Sequence, residues 1–350
     1  VTCLGGAGLG TVQSLRLIPC PTFILGVDAN ANSRGQAEVD AFEVVPWPGP
    51  GYAARVKDLV EKYDIGIVYA QSTEELLALV RCMPPLPCVI PAGNLQALEV
   101  ASDKGLLYRF LAEKGVAVPQ SAACDSVAAL KEAVRLLGYP NRKVVVKPRK
   151  ISGSRGFHVL DARADPMEGL LGERASYPFL RWEDMESRLR DPMPGLVAME
   201  YLKGTDYTCY ALVKEGEPLF VIPCRRLGFD QGVTLGVVSE PNIVVMDYVA
   251  EICRAFRFHG FVNVQLMKVG GKPLVYEINP RLSATTVACT ATGANVPWLL
   301  WQMFTGQDVA KPQIFWGVRV KRSWREEFYL PEGERPVSLA EAYNGCPELC

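Results

Sequence analysis

Two short segments constrain this chain more than any others: Phe261-Val262-Asn263-Val264-Gln265-Leu266-Met267 and Leu274-Val275-Tyr276-Glu277-Ile278-Asn279-Pro280-Arg281. Each alternates with period two, so each reads as a strand with one apolar and one polar face. Val262, Val264 and Leu266 share a face of the first, and Leu274, Tyr276 and Ile278 share a face of the second. If the two are hairpin partners over one apolar layer, their polar faces must also coincide, and an even loop cannot achieve that. A three-residue loop, Val269-Gly270-Gly271, with glycine in the left-handed position, is therefore expected. That pairing gathers Gln265, Glu277 and Asn279 into one oxygen cluster. Two amide oxygens and one carboxylate, with room left for water and phosphate, suit Mg²⁺. Pro280 ends the pairing and Arg281 projects from the strand end, where a cation can meet a transferring phosphoryl group.

A second constellation is Val144-Val145-Val146-Lys147-Pro148 followed by Ile151-Ser152-Gly153-Ser154-Arg155-Gly156. A lysine at a strand end beside a turn of Gly and Ser offers a point charge and backbone N–H groups to phosphates, although the Gly-Lys-Ser/Thr of a Walker A loop is missing. A third is Met199-Glu200-Tyr201-Leu202-Lys203-Gly204-Thr205-Asp206, a strand whose exposed backbone edge can read adenine. Lys104 lies in the first turn of a helix, where a cation opposes the macrodipole unless an anion is bound nearby. Near the start, Gly5-Gly6-Ala7-Gly8-Leu9-Gly10, with Asp28 at the end of the next strand, mimics a dinucleotide fingerprint, but Thr11 breaks the spacing.

The rest of the chain bounds the class. At 350 residues it allows about two or three domains. Lys plus Arg number 37 against 38 Asp plus Glu, which gives no global attraction to nucleic acid or to an anionic membrane. Anionic ligands must be held by local charge. The 11 Cys are scattered without a C-x-x-C pair, pointing to a reduced, cytoplasmic chain. No apolar run of about 18 residues and no secretory leader is visible, and the start at Val1, inside an apparent strand, suggests that leading residues are missing. Alternating apolar runs and helical patterns up to residue 97 (Val1–Leu4, Phe23–Asp28, Ile65–Tyr69, Cys88–Ile90) read as βαβ units of a parallel sheet. A connecting helix from Ser102 follows. Residues 119–205 read as a smaller α+β unit, with helix Ser126–Leu137 and strands Lys143–Lys147 and Gly156–Leu160. Residues 206–310 read as antiparallel strands ending in a helix, Asn295–Phe304, and the tail contributes only a basic run, Val318–Arg322, with no legible chemistry.

Taken in order, the Gly-rich first turn, Ser102-Asp103-Lys104, Val146-Lys147-Pro148 with its Gly loop, Met199-Glu200 with Gly204, Gln265, and Glu277-Ile278-Asn279-Pro280-Arg281 resemble the ATP-grasp superfamily. The branch is the carbamoyl-phosphate-synthase-like one, and the likeness runs from Val1 to about Gly306. Leu282-Ser283 and Thr292-Gly293-Ala294-Asn295-Val296-Pro297 sharpen it. The resemblance implies a Rossmann-like pre-ATP-grasp domain (1–97), a connecting helix (98–118), a two-subdomain ATP-grasp fold made of a lid (119–205) and a C-terminal subdomain with the metal site (206–310), and an extension (311–350). It implies ATP with Mg²⁺, or Mn²⁺ in its place. Lys104, Lys147 and the Ser152, Gly153, Ser154 and Gly156 turn would meet the triphosphate. Glu200, the backbone around Leu202, and Asp206 would meet adenine and ribose, and Gln265, Glu277 and Asn279 the metal. Arg281 would stabilise an acyl phosphate, and either Arg225 or Arg226 would meet the carboxylate or the γ-phosphate.

The chain is too short for the duplicated synthetase and shows no glutaminase nucleophile context, and Gln265 stands where biotin carboxylases keep an acid. The expectation is a stand-alone ligase that joins a carboxylate to an amine through an acyl phosphate, acting on small molecules, with a homodimer left open. Specificity is expected from the first Gly loop, Ser283 to Thr286 and the tail. Two other classes compete: an NAD-dependent oxidoreductase using the first Gly loop, and an ATP-binding regulatory module without catalysis.

Overall fold

The computed structural model describes residues 1–150, 155–165, 179–230 and 233–323, together with 328, 330, 338 and 341. Ser152, Gly153 and Ser154 lie outside the described residues.

In the N-terminal unit the expected strand Val1–Leu4 is cut short. Val1 bonds to Leu25 and Val27, and the Thr2 N–H donates to Tyr69 O, but Cys3 turns left-handed (φ 47°, ψ 49°) and Leu4–Gly8 forms a π-helical turn that feeds α1, Leu9–Leu15. Strands β1 (Leu25–Asp28) and β2 (Ala41–Val44) pair in parallel. The other two expected strands reduce to one parallel bridge, Ile67 with Val89. Helix α2 (Tyr52–Lys62) and α3 (Thr73–Val80) cover them, the latter opened by a capping box between Ser72 and Glu75. The connector is two helices rather than one: α4 (Leu95–Ser102) and α5 (Lys104–Glu113) meet at Asp103, whose side chain accepts from the Gly105 and Leu106 N–H groups. An N-cap there starts α5 at Lys104, two residues past the expected helix start at Ser102.

Next come β3 (Ser121–Cys124), α6 (Val127–Leu136), β4 (Val144–Pro148), β5 (His158–Leu160), β6 (Phe179–Leu180), α7 (Trp182–Glu186) and β7 (Leu196–Glu200). They form a five-stranded sheet in the order β3-β7-β4-β5-β6. The last unit holds β8 (Thr205–Lys214), β9 (Glu217–Asp230), β10 (Val233–Ser239), α8 (Ile243–Phe256), β11 (Gly260–Val269), β12 (Lys272–Asn279), α9 (Val287–Ala291), α10 (Val296–Phe304) and β13 (Arg319–Lys321). Its sheet is antiparallel, ordered β12-β11-β8-β9-β10-β13. One face packs Cys209, Ala211, Val262 and Val264 on α8, and the other packs Tyr210, Ile222 and Phe261 against α1 and α10. Burial on both faces makes this sheet the backbone of the molecule. Helix α8 was not expected, although Val245, Tyr248, Val249, Ile252, Cys253 and Phe256 are buried at helical spacing after the Asn242 cap.

The β11–β12 hairpin corrects the expected loop. Val269 pairs with Lys272, so the turn is Gly270-Gly271 alone, with both residues at positive φ (54° and 89°). The missing residue comes from a β-bulge: Leu266 faces Val275, but Gln265 faces Glu277, leaving Tyr276 extra. The bulge restores the parity that a two-residue turn would break. Val275, rather than Tyr276, then fills the apolar layer, where it is fully buried, and Tyr276 turns to the cleft.

Candidate functional site

A cleft of about 430 Å³ lies between the five-stranded and six-stranded sheets. From β4 comes Lys147; from the start of α5, Lys104; from β11, Gln265; from β12 and its end, Glu277, Asn279 and Arg281. Gln265 faces Glu277 across the hairpin and Asn263 faces Asn279, so the expected oxygen cluster stands on one sheet face. Asn263, also lining the cleft, extends the row; its amide donates to Thr208 Oγ1 at 2.7 Å. The donor set of one carboxylate and amide oxygens fits a hard divalent ion.

Charge is concentrated at Glu277. Lys104, only 5% exposed, brings Nζ to 3.8 Å from Glu277 Oε2. Asn279 Nδ2 donates to Glu277 Oε1 at 3.3 Å, and Arg281 Nη2 donates to Asn279 Oδ1 at 3.0 Å. Burial works to raise the Glu277 pKa, but Lys104 and Lys147 outweigh it and hold the carboxyl below its usual range. Lys147 is also 5% exposed, and its Nζ donates to Tyr276 O at 3.0 Å. Burial, reinforced by Lys104 and opposed by Glu277, lowers it to about 7. Arg281 Nε is buried without a hydrogen-bond partner among the described residues. That buried N–H is left with a hydrogen bond to give, while Nη1 binds Leu282 O and Nη2 binds Asn279 Oδ1.

Asp206 and Arg226 were expected at opposite ends of a nucleotide, yet they lie together. Arg226 Nη1 is 3.6 Å from Asp206 Oδ2, and Tyr276 bridges them, donating to Asp206 Oδ1 at 2.9 Å and accepting from Arg226 Nη1 at 3.1 Å. The bulge is what delivers Tyr276 to this pair. Arg225 is on the other face of β9, paired with Glu240 at 3.1 Å, and does not line the cleft, so Arg226 is the member of the pair that does. Glu200 also turns away, accepting from the Gln120 N–H at 2.8 Å, while Tyr201 and Leu202 line the cleft beside Met199 and Phe157. Gly156 packs under β4, where an added Cβ would meet Pro148 at 2.9 Å.

Two residues that the sequence reading passed over support the site. Arg149 follows β4 and grips Asp103 with Nε and Nη2, both at 2.9 Å, while its carbonyl accepts from the Lys104 N–H at 3.0 Å. Gly105 and Gly195 leave room for it; a Cβ on either would come within 3.0 Å of the Arg149 side chain. This clamp ties the root of the Gly-Ser segment to the helix that carries Lys104. Arg322, from the tail, also reaches the cleft and donates through Nη2 to Ala284 O at 2.9 Å. At the Gly-rich first turn, Asp28 Oδ2 accepts from the Gly5 N–H at 2.9 Å, and its Oδ1 from Asn30. The acid that a dinucleotide fingerprint would offer to a ribose holds the turn itself.

Residues 192–325 match the family described as ATP-grasp in the biosynthetic pathway with Ter operon. The carbamoyl phosphate synthase large chain of Halobacterium salinarum is 28% identical over 267 residues, 72% of this chain. The chain spans only 24% of that relative's length. Among solved structures, the biotin carboxylase β,γ-ATP complex from Campylobacter jejuni superposes with a TM-score of 0.64 at 13% identity, covering 88% of this chain and 71% of that one. The L-amino acid ligase of Bacillus licheniformis gives 0.60 at 15% identity, covering 89% and 73%. At such identities the structural likeness establishes the fold, and it agrees with the family match and with the order of the motifs. The chain thus has the fold of the ATP-grasp enzymes, matches an ATP-grasp family over residues 192–325, and is similar in sequence to the carbamoyl phosphate synthase large chains.

Proposed function

We propose that this chain is an ATP- and Mg²⁺-dependent ligase that activates a carboxylate as an acyl phosphate and transfers the acyl group to an amine, releasing ADP and phosphate. The observation that carries the reading is the convergence of Lys104, Lys147, Glu277, Asn279, Gln265 and Arg281 on one cleft with an apolar end at Phe157, Met199 and Leu202. Adenine takes the apolar end against the backbone at Tyr201-Leu202, and the triphosphate runs toward Lys147 and Lys104. Gln265, Glu277 and Asn279 would hold Mg²⁺, which neutralises phosphate charge when bound.

The carboxylate oxygen attacks the γ-phosphorus, the β–γ bridging bond breaks, and ADP leaves. Arg281 steadies the transferred group with its guanidinium charge. The amine then attacks the acyl carbon, phosphate departs, and the nitrogen loses a proton. Arg226, fixed by Asp206 and Tyr276, faces the same phosphates. Catalysis here is mostly positioning and charge compensation. Incubating the protein with ATP, Mg²⁺, a panel of carboxylic acids and hydroxylamine tests this: a hydroxamate together with ADP and phosphate is expected, whereas AMP and pyrophosphate, or no acid-dependent turnover, would refute it.

A further inference from the structure

Arg322 sits just past β13, which lies at the opposite edge of the six-stranded sheet from β12. Its backbone N–H donates to Leu235 O at 2.8 Å, which fixes where the side chain starts. From there the guanidinium crosses to the segment after β12 and binds Ala284 O at 2.9 Å. Arg281 binds Leu282 O in the same segment, also at 2.9 Å. The two guanidinium groups are thus anchored on residues whose Cα atoms are at most about 7 Å apart. Both line the cleft, with Ser283 between their anchors and Thr285 beside it. Asp206 pairs with Arg226 and Glu277 with Lys104, so the two acids that line this cleft among the described residues are engaged away from Arg322. A second fixed cation, one short step beyond the group that steadies the transferred phosphoryl, has a use if the ligand carries a second anion.

We propose that Arg322 binds a substrate carboxylate other than the one that is phosphorylated, and so selects substrates bearing that second acid group. The inference rests on the ligase reading above. The carboxylate has two possible sources with the same chemistry, a dicarboxylic acid undergoing activation or the free carboxylate of an amino acid serving as the amine. A planar fork with donors left, among the described residues, beyond its bond to Ala284 suits a carboxylate in either case.

Isothermal titration of the full chain with ADP and Mg²⁺ present tests this with two matched pairs, glutarate against butyrate and glycine against glycinamide. The charged member of one pair should bind about ten- to a hundredfold more tightly, the range for a charge-assisted hydrogen bond. A preference for glutarate assigns the group to the acid, and a preference for glycine assigns it to the amine. In either case Arg322→Gln should abolish the preference, Arg322→Lys should restore part of it, and ADP affinity should stay as in the unaltered chain. Equal binding within both pairs, or a preference that survives in Arg322→Gln, overturns the proposal. Failure of the ligase reading looks different: the charged ligand binds and depends on Arg322, but ATP and hydroxylamine give no hydroxamate.

Discussion

Lys147→Met removes a buried cation whose nucleotide-free form titrates at about 7. If the triphosphate restores full protonation, binding at pH 7 must take up about half a proton, and at pH 8 about nine-tenths of one. The protonated fraction of the free site falls from about nine-tenths at pH 6 to about one-tenth at pH 8, so this lysine alone should weaken ATP binding roughly tenfold across that interval. Its charge-assisted contact is worth about 1.5–3 kcal/mol, so Lys147→Met should bind ATP about ten- to a hundredfold more weakly at pH 6. The gap should then narrow as pH rises. Calorimetry of ATP binding without divalent ions, in two buffers of different ionisation enthalpy, reads both quantities, and comparison with the variant cancels the ionisation of ATP itself. Folding carries the opposite sign. The folded-state pKa lies below the unfolded one, so the unfolded chain binds more protons between pH 7 and the usual lysine value, and stability rises with pH across that window. Lys147→Met should flatten this rise. Identical proton uptake and identical pH dependence in the two proteins would refute the placement of this lysine at the phosphates.

Glu277→Gln removes the anion shared by Lys104 and Lys147; acid-dependent ADP release should vanish while circular dichroism stays unchanged. Tyr276→Phe leaves Asp206 and Arg226 without their bridge, and urea unfolding should show a loss of about 1–3 kcal/mol, with ATP binding weakened as well. Asp103→Ala breaks both the clamp on Arg149 and the cap of α5; because Arg149 is partly exposed, the cost should be about 2–3 kcal/mol in urea, below that of a fully buried pair. Gly271→Ala, at φ 89°, should destabilise the hairpin by about 1 kcal/mol and shift the urea midpoint without changing the slope.

The alternation in residues 261–281 was enough to bring Gln265, Glu277 and Asn279 to one face, because parity, and not the exact turn, decides which side a strand residue points to. The bulge was not legible. A two-residue Gly-Gly turn conflicts with that parity, and either a longer loop or an extra residue in one strand resolves it. Only packing chooses, by preferring Val275 in the apolar layer. Parity could have separated Arg226 from Arg225, since Arg226 continues the face of the buried Ile222 and Cys224. Helix α8 was masked by its many β-branched residues, which also read as strand. Arg149 and Arg322 act through contacts 46 and 38 residues away, set by where a helix start and an edge strand dock, and no local pattern records such distances.

The central claim is that a carboxylate attacks the γ-phosphorus of ATP in the cleft between the two sheets. ³¹P NMR of ATP turnover with Mg²⁺, hydroxylamine and a mixture of acids labelled with ¹⁸O in their carboxylates follows the transferred atom directly. One ¹⁸O per inorganic phosphate, with ADP as the other product, is the result expected; unlabelled phosphate, or label appearing in AMP, would contradict it.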